Sequence, residues 1–546
     1  MGKERWFHVA LSMCAILILA GVAREASSQT TPPSWSFAGA DLLNSHGQLS
    51  PQANVGLATQ INPSTAASLK LVWSYATQGD ISATPTVEPG GLYVPDWAGM
   101  IYKLNPATGG LIWSHPLSYY TGLPGQARTS PAIGPSVIVV GDQQAHPTGT
   151  TGARVIGINK STGALAWVTI VDSDPYAEVM GSPVIYGNLV YVGTASWDEG
   201  EAGSNANYDP TFRGSMTAIN INTGAIVWKF YTVPSGYTGG PVPGSSPVVF
   251  TANGSNELIF GTGNNYSVPS SIEPCIKAAG SNTSAQVACL DPADYVDSLV
   301  AVNLSTGALI WSRRMSGADA WTEGCYYGYL NCPSPAGNDT DFASAPNLSW
   351  VPNFTGVSDD RGGTSANYIL GAGQKNSIYW ALNPLNGGLY WSTNIGVGGI
   401  EWGSSLDLDD HNSVFVSLNN PSHVTNTLAG RNGVTQTWNG GAWGALNIVT
   451  GKMTWQIPAY GKDLANPTNP STGEAGSSFT NRVVFVGSSS GYFVALDANT
   501  GYTYWTYYSG GTVMSSPAIF NETVYWGTGY ARNGVGYHML YAFGVP

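Results

Sequence analysis

The chain has 546 residues, of which 10 % are charged and 43 % hydrophobic, with 69 glycines and 19 tryptophans. So low a charge fraction excludes a coiled coil or a disordered protein, and a formal net charge of −13 with no basic stripe excludes a nucleic-acid partner. Abundant Gly, Trp and Tyr instead suit many short strands joined by tight turns.

The first element is a leader. Lys3 and Arg5 precede an apolar run from Trp6 to Ala23, followed by Ala26-Ser27-Ser28. Charged, apolar and small residues in that order read as a secretory signal over residues 1–28, removed on export. No later run approaches membrane-spanning length. The expected product is therefore a secreted protein of residues 29–546 with no membrane span. Of the five cysteines, Cys14 leaves with the leader. Pairing Cys275 with Cys289 and Cys325 with Cys332 closes the shortest loops, so these two disulfides are expected. Asn-x-Ser/Thr sequons at Asn159, Asn253, Asn265, Asn282, Asn303, Asn338, Asn347, Asn353 and Asn521 are candidate glycan acceptors.

The mature chain is then dominated by one repeat. KLNPATGGLIW (103–113), GINKSTGALAW (157–167), AININTGAIVW (218–228) and AVNLSTGALIW (301–311) are its first copies. ALNPLNGGLYW (381–391), ALNIVTGKMTW (445–455) and ALDANTGYTYW (495–505) complete the series. The Asn or Asp can bond its own turn backbone, the Gly takes the positive φ of the turn, and the Trp docks one sheet onto the next. Small-residue strand starts such as Ser130-Pro131, Ser182-Pro183, Ser246-Pro247 and Ser516-Pro517 occur eight times, once more than the Trp repeats. Trp73, in LKLVWSYA, supplies the eighth Trp. The expected fold is all-β: a single eight-bladed β-propeller whose N-terminal strand completes the C-terminal blade and removes an open edge. Insertions near 264–296 and 317–345 carry the cysteines, and loops of that length should wall a pocket.

These repeats resemble the docking motif of pyrroloquinoline quinone (PQQ) dependent alcohol dehydrogenases. The polyvinyl alcohol dehydrogenase branch matches further segments: T-F-R-G-S (211–215), G-T-G-N-N-Y-S-V-P (261–269), D-A-W (319–321), G-Q-K-N-S (373–377) and the terminal L-Y-A-F (540–543). The resemblance implies PQQ in the central channel over a Ca²⁺ that polarises the quinone. It implies Asp198 or Glu199, with Asn264, as metal ligands, Asn264 also touching cofactor. Lys375 would hydrogen-bond the quinone oxygens, and Arg128 and Arg213 would pair with cofactor carboxylates.

Three departures stand beside these matches. The family's catalytic Asp falls at Thr322, so Asp319, Glu323 or Asp341 would have to accept the substrate proton. The family's adjacent cysteines fall at Asp209-Pro210. Its aromatic floor falls at Pro243, which cannot replace an indole. Two functions follow: an oxidoreductase taking a small or polymeric alcohol and passing electrons to an external acceptor, or a cofactor-less propeller that binds a ligand, glycan or protein or catalyses another reaction in the old pocket.

Overall fold

A computed structural model describes residues 34–48, 60–143, 152–244, 246–430 and 434–546. The leader expected over 1–28 lies outside the described residues. Eight four-stranded antiparallel sheets follow one another along the chain. Blades one to seven span residues 86–116, 132–172, 184–231, 248–314, 347–394, 405–458 and 478–508. Blade eight combines Ala518–Phe520, Thr523–Thr528 and Met539–Gly544 with Lys70–Ala76 from the N-terminal side. Trp73 pairs with Ala542 and Lys70 with Gly544, so the eighth Trp lies on the strand the repeat count requires. The chain is an eight-bladed β-propeller closed by strands from both ends.

Second and third strands are mostly buried, as in Val483–Gly487 and residues 442–446, because each blade is covered on both faces by its neighbours. The outer strands read differently. Leu111 and Ile112 face solvent, while Trp113 turns inward onto the next blade.

The repeat turn explains that contact. In the first copy Asn105 Oδ1 accepts from the backbone N–H groups of Ala107 and Thr108 at 2.9 and 3.2 Å. Gly109 has φ +69°, and a Cβ there would lie 2.6 Å from the Trp73 ring. The indole Nε1 of Trp73 donates to Pro106 O at 2.9 Å. Glycine is thus required twice, for backbone sign and for space. The arrangement recurs at Trp167 on Ile221 O, Trp228 on Leu304 O, Trp311 on Pro384 O, Trp391 on Ile448 O and Trp455 on Ala498 O.

Segment 34–48 has no place in the repeat. It travels around the open inner edges of the first strands. Trp35 exchanges both backbone hydrogen bonds with Val87 of blade one at 2.9 Å, and Ser36 O accepts from Ile133 N of blade two. Leu42, Leu43 and Ser45 carbonyls accept from Val249, Leu348 and Leu406 of blades four, five and six, each at 2.9 Å. Gly47 and Gln48 pair in parallel with Phe479 and Thr480 of blade seven. One short strap therefore touches six blades.

Strand alternation fixes the functional face. Loops joining second to third strands, and loops joining one blade to the next, emerge at the same end of the ring, while the Asn-Gly turns emerge at the other. Both insertions belong to the first end. Residues 273–289 form two short helices bridged by Cys275–Cys289, and Cys325–Cys332 closes the turn after Glu323–Tyr327. Both expected disulfides are present. Among the sequons, Asn265 and Asn347 are fully buried, so folding withdraws them from any glycan. Among the described residues no helix is long and apolar enough to cross a membrane.

Candidate active site

A cavity of about 200 Å³ opens on the ring axis at this end. It is built from the two loop classes just described. Glu199, Lys375 and Arg532 come from second-to-third-strand loops of blades three, five and eight; Arg128, Asp341, Glu401, Trp402 and Glu474 precede blades two, five, six and seven.

Lys375 is the electrostatic centre. Its Nζ donates to Asp339 Oδ1 at 2.7 Å and Asp341 Oδ2 at 2.8 Å. Burial works against its charge, but Asp339, Asp341 and Glu199 outweigh burial and hold the ammonium protonated. Burial, together with Asp339, Asp341 and Glu323, pushes the Glu199 carboxyl well above the usual carboxylate range, against the pull of Lys375. Asp341 Oδ1 accepts from the Asn264 backbone N–H at 2.7 Å. The Asn264 amide nitrogen donates to the carbonyls of Asn265 and Trp321, both at 2.9 Å, and its Oδ1 is buried without a partner. A buried, orphaned amide oxygen of this kind calls for a ligand.

The remaining sequence candidates are placed elsewhere. Asp198 is fully buried and fully engaged: Oδ1 accepts from Ser196 and Tyr208, and Oδ2 from the backbone N–H groups of Thr211 and Phe212. It clips a loop and has no lone pair directed at the cavity. Arg213 donates to Val233 O at 2.7 Å and lies 4.4 Å over the Tyr231 ring, outside the cavity lining. Asp319 accepts from the backbone of Asn338, Asp339 and Thr340, so it shapes the loop that presents Asp339 and Asp341. Its carboxylate lines a separate groove of about 650 Å³ beside the bridged helices. Glu323 packs on Gly203 of the helix Asp198–Ser204. Thr322 is fully buried.

Several groups in the lining or bonded to it escaped the sequence reading. Asp339 contacts Lys375 directly; burial pushes its carboxyl up, Lys375 lowers it and Asp341 raises it. Burial and the Glu401 charge push Glu474 up as well, and Glu401 accepts from Asn419 at 2.8 Å. Arg128 lies 4.9 Å over Trp402 and 5.5 Å over Trp97, and Arg532 lies 4.5 Å over Trp197. Pro243 lines the cavity and brings no ring to it, but Trp402 does, and that ring lies against Gly244. Its signal was the register of the strand starts. Arg128, Met180, Gly244, Trp402 and Met514 each stand three residues before the strand-start Pro or its equivalent Ser, and all five line the axis.

The donor set fits a quinone cofactor with a hard cation. Among the described residues no three His, Cys, Asp or Glu side chains form a metal cage. Glu199 lines the cavity and the orphaned Asn264 Oδ1 lies behind the lining, on the residue bonded to Asp341; the two offer oxygen donors and leave the rest of a coordination shell to ligand oxygens. A flat indole, a half-buried ammonium and two stacked guanidiniums suit a planar polycarboxylate.

Comparison with known proteins agrees. A PQQ-repeat family model described as outer membrane protein assembly factor BamB matches residues 54–201 and 439–537. The chain is 26 % identical over 490 residues to a polyvinylalcohol dehydrogenase of Sphingopyxis sp. (strain 113P3), covering 85 % of this chain and 68 % of that one. It is 26 % identical over 527 residues to a polyvinylalcohol dehydrogenase of Pseudomonas sp., covering 92 % and 74 %. In structure it resembles quinohemoprotein alcohol dehydrogenase ADHIIG of Pseudomonas putida HK5 with a TM-score of 0.67 at 20 % identity, over 94 % of this chain and 80 % of that one. That last likeness concerns the fold. Repeat, ring and sequence likeness together make the chain an eight-bladed propeller that is similar in sequence to polyvinylalcohol dehydrogenases and in fold to a quinohemoprotein alcohol dehydrogenase.

Proposed function

We propose that the protein is an exported oxidoreductase that dehydrogenates an alcohol with PQQ as hydride acceptor and hands the electrons to an external acceptor. The observation that carries this reading is the half-buried Lys375, held protonated by Asp339, Asp341 and Glu199 in the axial cavity, with the unpartnered Asn264 Oδ1 behind Asp341. The printed names of the relatives supply the substrate class, an alcohol, small or polymeric. Two disulfides support an oxidising compartment.

Glu199 and Asn264 Oδ1 would hold the cation, and Lys375, Arg128 and Arg532 would hold the cofactor's oxygens and carboxylates. When bound, the quinone supplies a two-electron hydride acceptor. Everything else falls to the chain. Lys375 presents a fixed positive charge where negative charge develops on reduction. Asp341 has both oxygens engaged, by Asn264 N–H and Lys375, so it orients rather than takes a proton. Asp339, ionised against the same lysine with its carboxyl raised to about 7 by burial, takes the hydroxyl proton on its carboxylate in place of the residue absent at Thr322.

The test is an absorption titration of the purified protein with PQQ and Ca²⁺, followed by dye reduction with primary and secondary alcohols. Saturable binding with alcohol-dependent dye reduction is expected. Absence of saturable binding would overturn the reading and leave a propeller whose pocket serves another ligand.

A further inference from the structure

Eight chain positions stand three residues before each strand-start Pro or Ser: Ser82, Arg128, Met180, Gly244, Ala343, Trp402, Ala475 and Met514; all but Ala475 line the axial channel as one layer. Only one is aromatic. Trp402 extends from blade six until its ring meets blade four, where a Cβ on Gly244 would lie 2.0 Å from Cζ3 and 2.8 Å from Cε3. No residue but glycine leaves room for that approach.

The indole also divides the channel. Above it lies the cavity holding Lys375 and Glu199; below it lies a chamber of about 60 Å³ lined by Ser130, Ser182, Ser246 and His46. Trp402, Gly244, Arg128 and Met180 line both. Arg128, 4.9 Å over the ring, fixes its attitude from the side of blade two. Pro243, one residue from Gly244, sits beside a place already filled.

We infer that Trp402, seated on Gly244, is the stacking floor of the cofactor site, moved from blade four to blade six. This rests on the quinoprotein reading. A planar ligand needs one broad, rigid, apolar face to lie on, and the indole is the only such surface among the described residues of this layer. The same relocation makes Gly244 and Trp402 one unit: a side chain at either position decides what the other can do. It also accounts for the proline, because an indole at 243 would compete with the one at 402.

Calorimetric titration with PQQ and Ca²⁺, without substrate, tests this on wild type, Trp402→Ala, Trp402→Phe, Gly244→Ala and Pro243→Trp. Loss of the indole should weaken binding about 10-fold or more, with Trp402→Phe between wild type and Trp402→Ala. Gly244→Ala, which drives a methyl into the ring, should weaken binding although it removes no contact with ligand. Pro243→Trp should not tighten binding. Trp402→Phe keeps an aromatic plug, so it remains informative if the alanine variant fails to fold. Binding by Trp402→Ala or Trp402→Phe indistinguishable from wild type, or tighter binding by Pro243→Trp, overturns the floor while leaving the quinoprotein reading intact. Absence of saturable binding by wild type overturns both.

Discussion

At the scale of single residues, two side chains carry separable consequences. Lys375 neutralises Asp339 and Asp341 and stands where reduction places negative charge. Lys375→Ala should lower turnover of the loaded enzyme at least ~10²-fold, the order expected for one preorganised electrostatic group, and steady-state dye reduction measures it. Glu178 is buried beside the cavity, and burial pushes its carboxyl from the ordinary 4.5 up to about 7 against Arg128 and Arg532. A folded pKa raised above the unfolded one gives stability that is complete below about pH 4.5 and is lost as pH rises through about 7. Glu178→Gln removes that titration. The apoprotein variant should therefore gain stability over wild type between pH 4.5 and 7.5, by about 3 kcal/mol at most, read from urea midpoints at the two ends. Sequence alone separated Glu199 from Asp198 poorly, because adjacent carboxylates in one loop differ only in where each points. Asp198 turns back to the Thr211 and Phe212 amides; Glu199 turns to the channel. Arg213 was misjudged for the same reason, since its carbonyl partner Val233 lies twenty residues on.

Among the elements, the docking turn joins one blade to the next through a single indole. Trp455 is 1 % exposed, donates to Ala498 O at 2.9 Å and leaves no room for a Cβ at Gly501. Trp455→Ala should destabilise by about 3–5 kcal/mol, and Gly501→Ala should destabilise as well, through both its φ of +64° and the 2.6 Å approach to the ring. Thermal melts of the two variants check this. The bridged loops are elements of another kind, short closed segments on the functional face. Non-reducing peptide mapping should recover Cys275 with Cys289 and Cys325 with Cys332; recovery of Cys275 with either of the latter pair would contradict the structure. These elements were legible because one motif is repeated: Asn, Gly and Trp at fixed offsets state the turn, its sign and its partner. The inner faces of the insertions were not, because polar loops carry no period that says which side meets the channel.

The whole ring depends on its N-terminal side. Lys70–Ala76 is the outer strand of blade eight, and the strap 34–48 closes inner edges on six others. Deleting residues 29–78 should leave open edges on blade eight and along the channel wall, so the truncated protein should aggregate on expression, as size-exclusion chromatography would show. A soluble truncation with one cooperative melt would mean that the ring closes without them. Blade number and closure were readable from eight strand starts and Trp73, whereas the strap was invisible. Its residues pair through backbone groups with partners up to about four hundred positions away, and backbone pairing leaves no mark on composition. That same strap sets an order of events during synthesis. Its first partner, Val87, follows within about fifty residues, but its last, Phe479, is made only after six blades have been. The arm can therefore be fastened only in steps, its last residues waiting unpaired until blade seven has emerged. The channel, and with it the bottom that Ala38 and His46 give the chamber beneath Trp402, is complete only when the last of these pairings has formed.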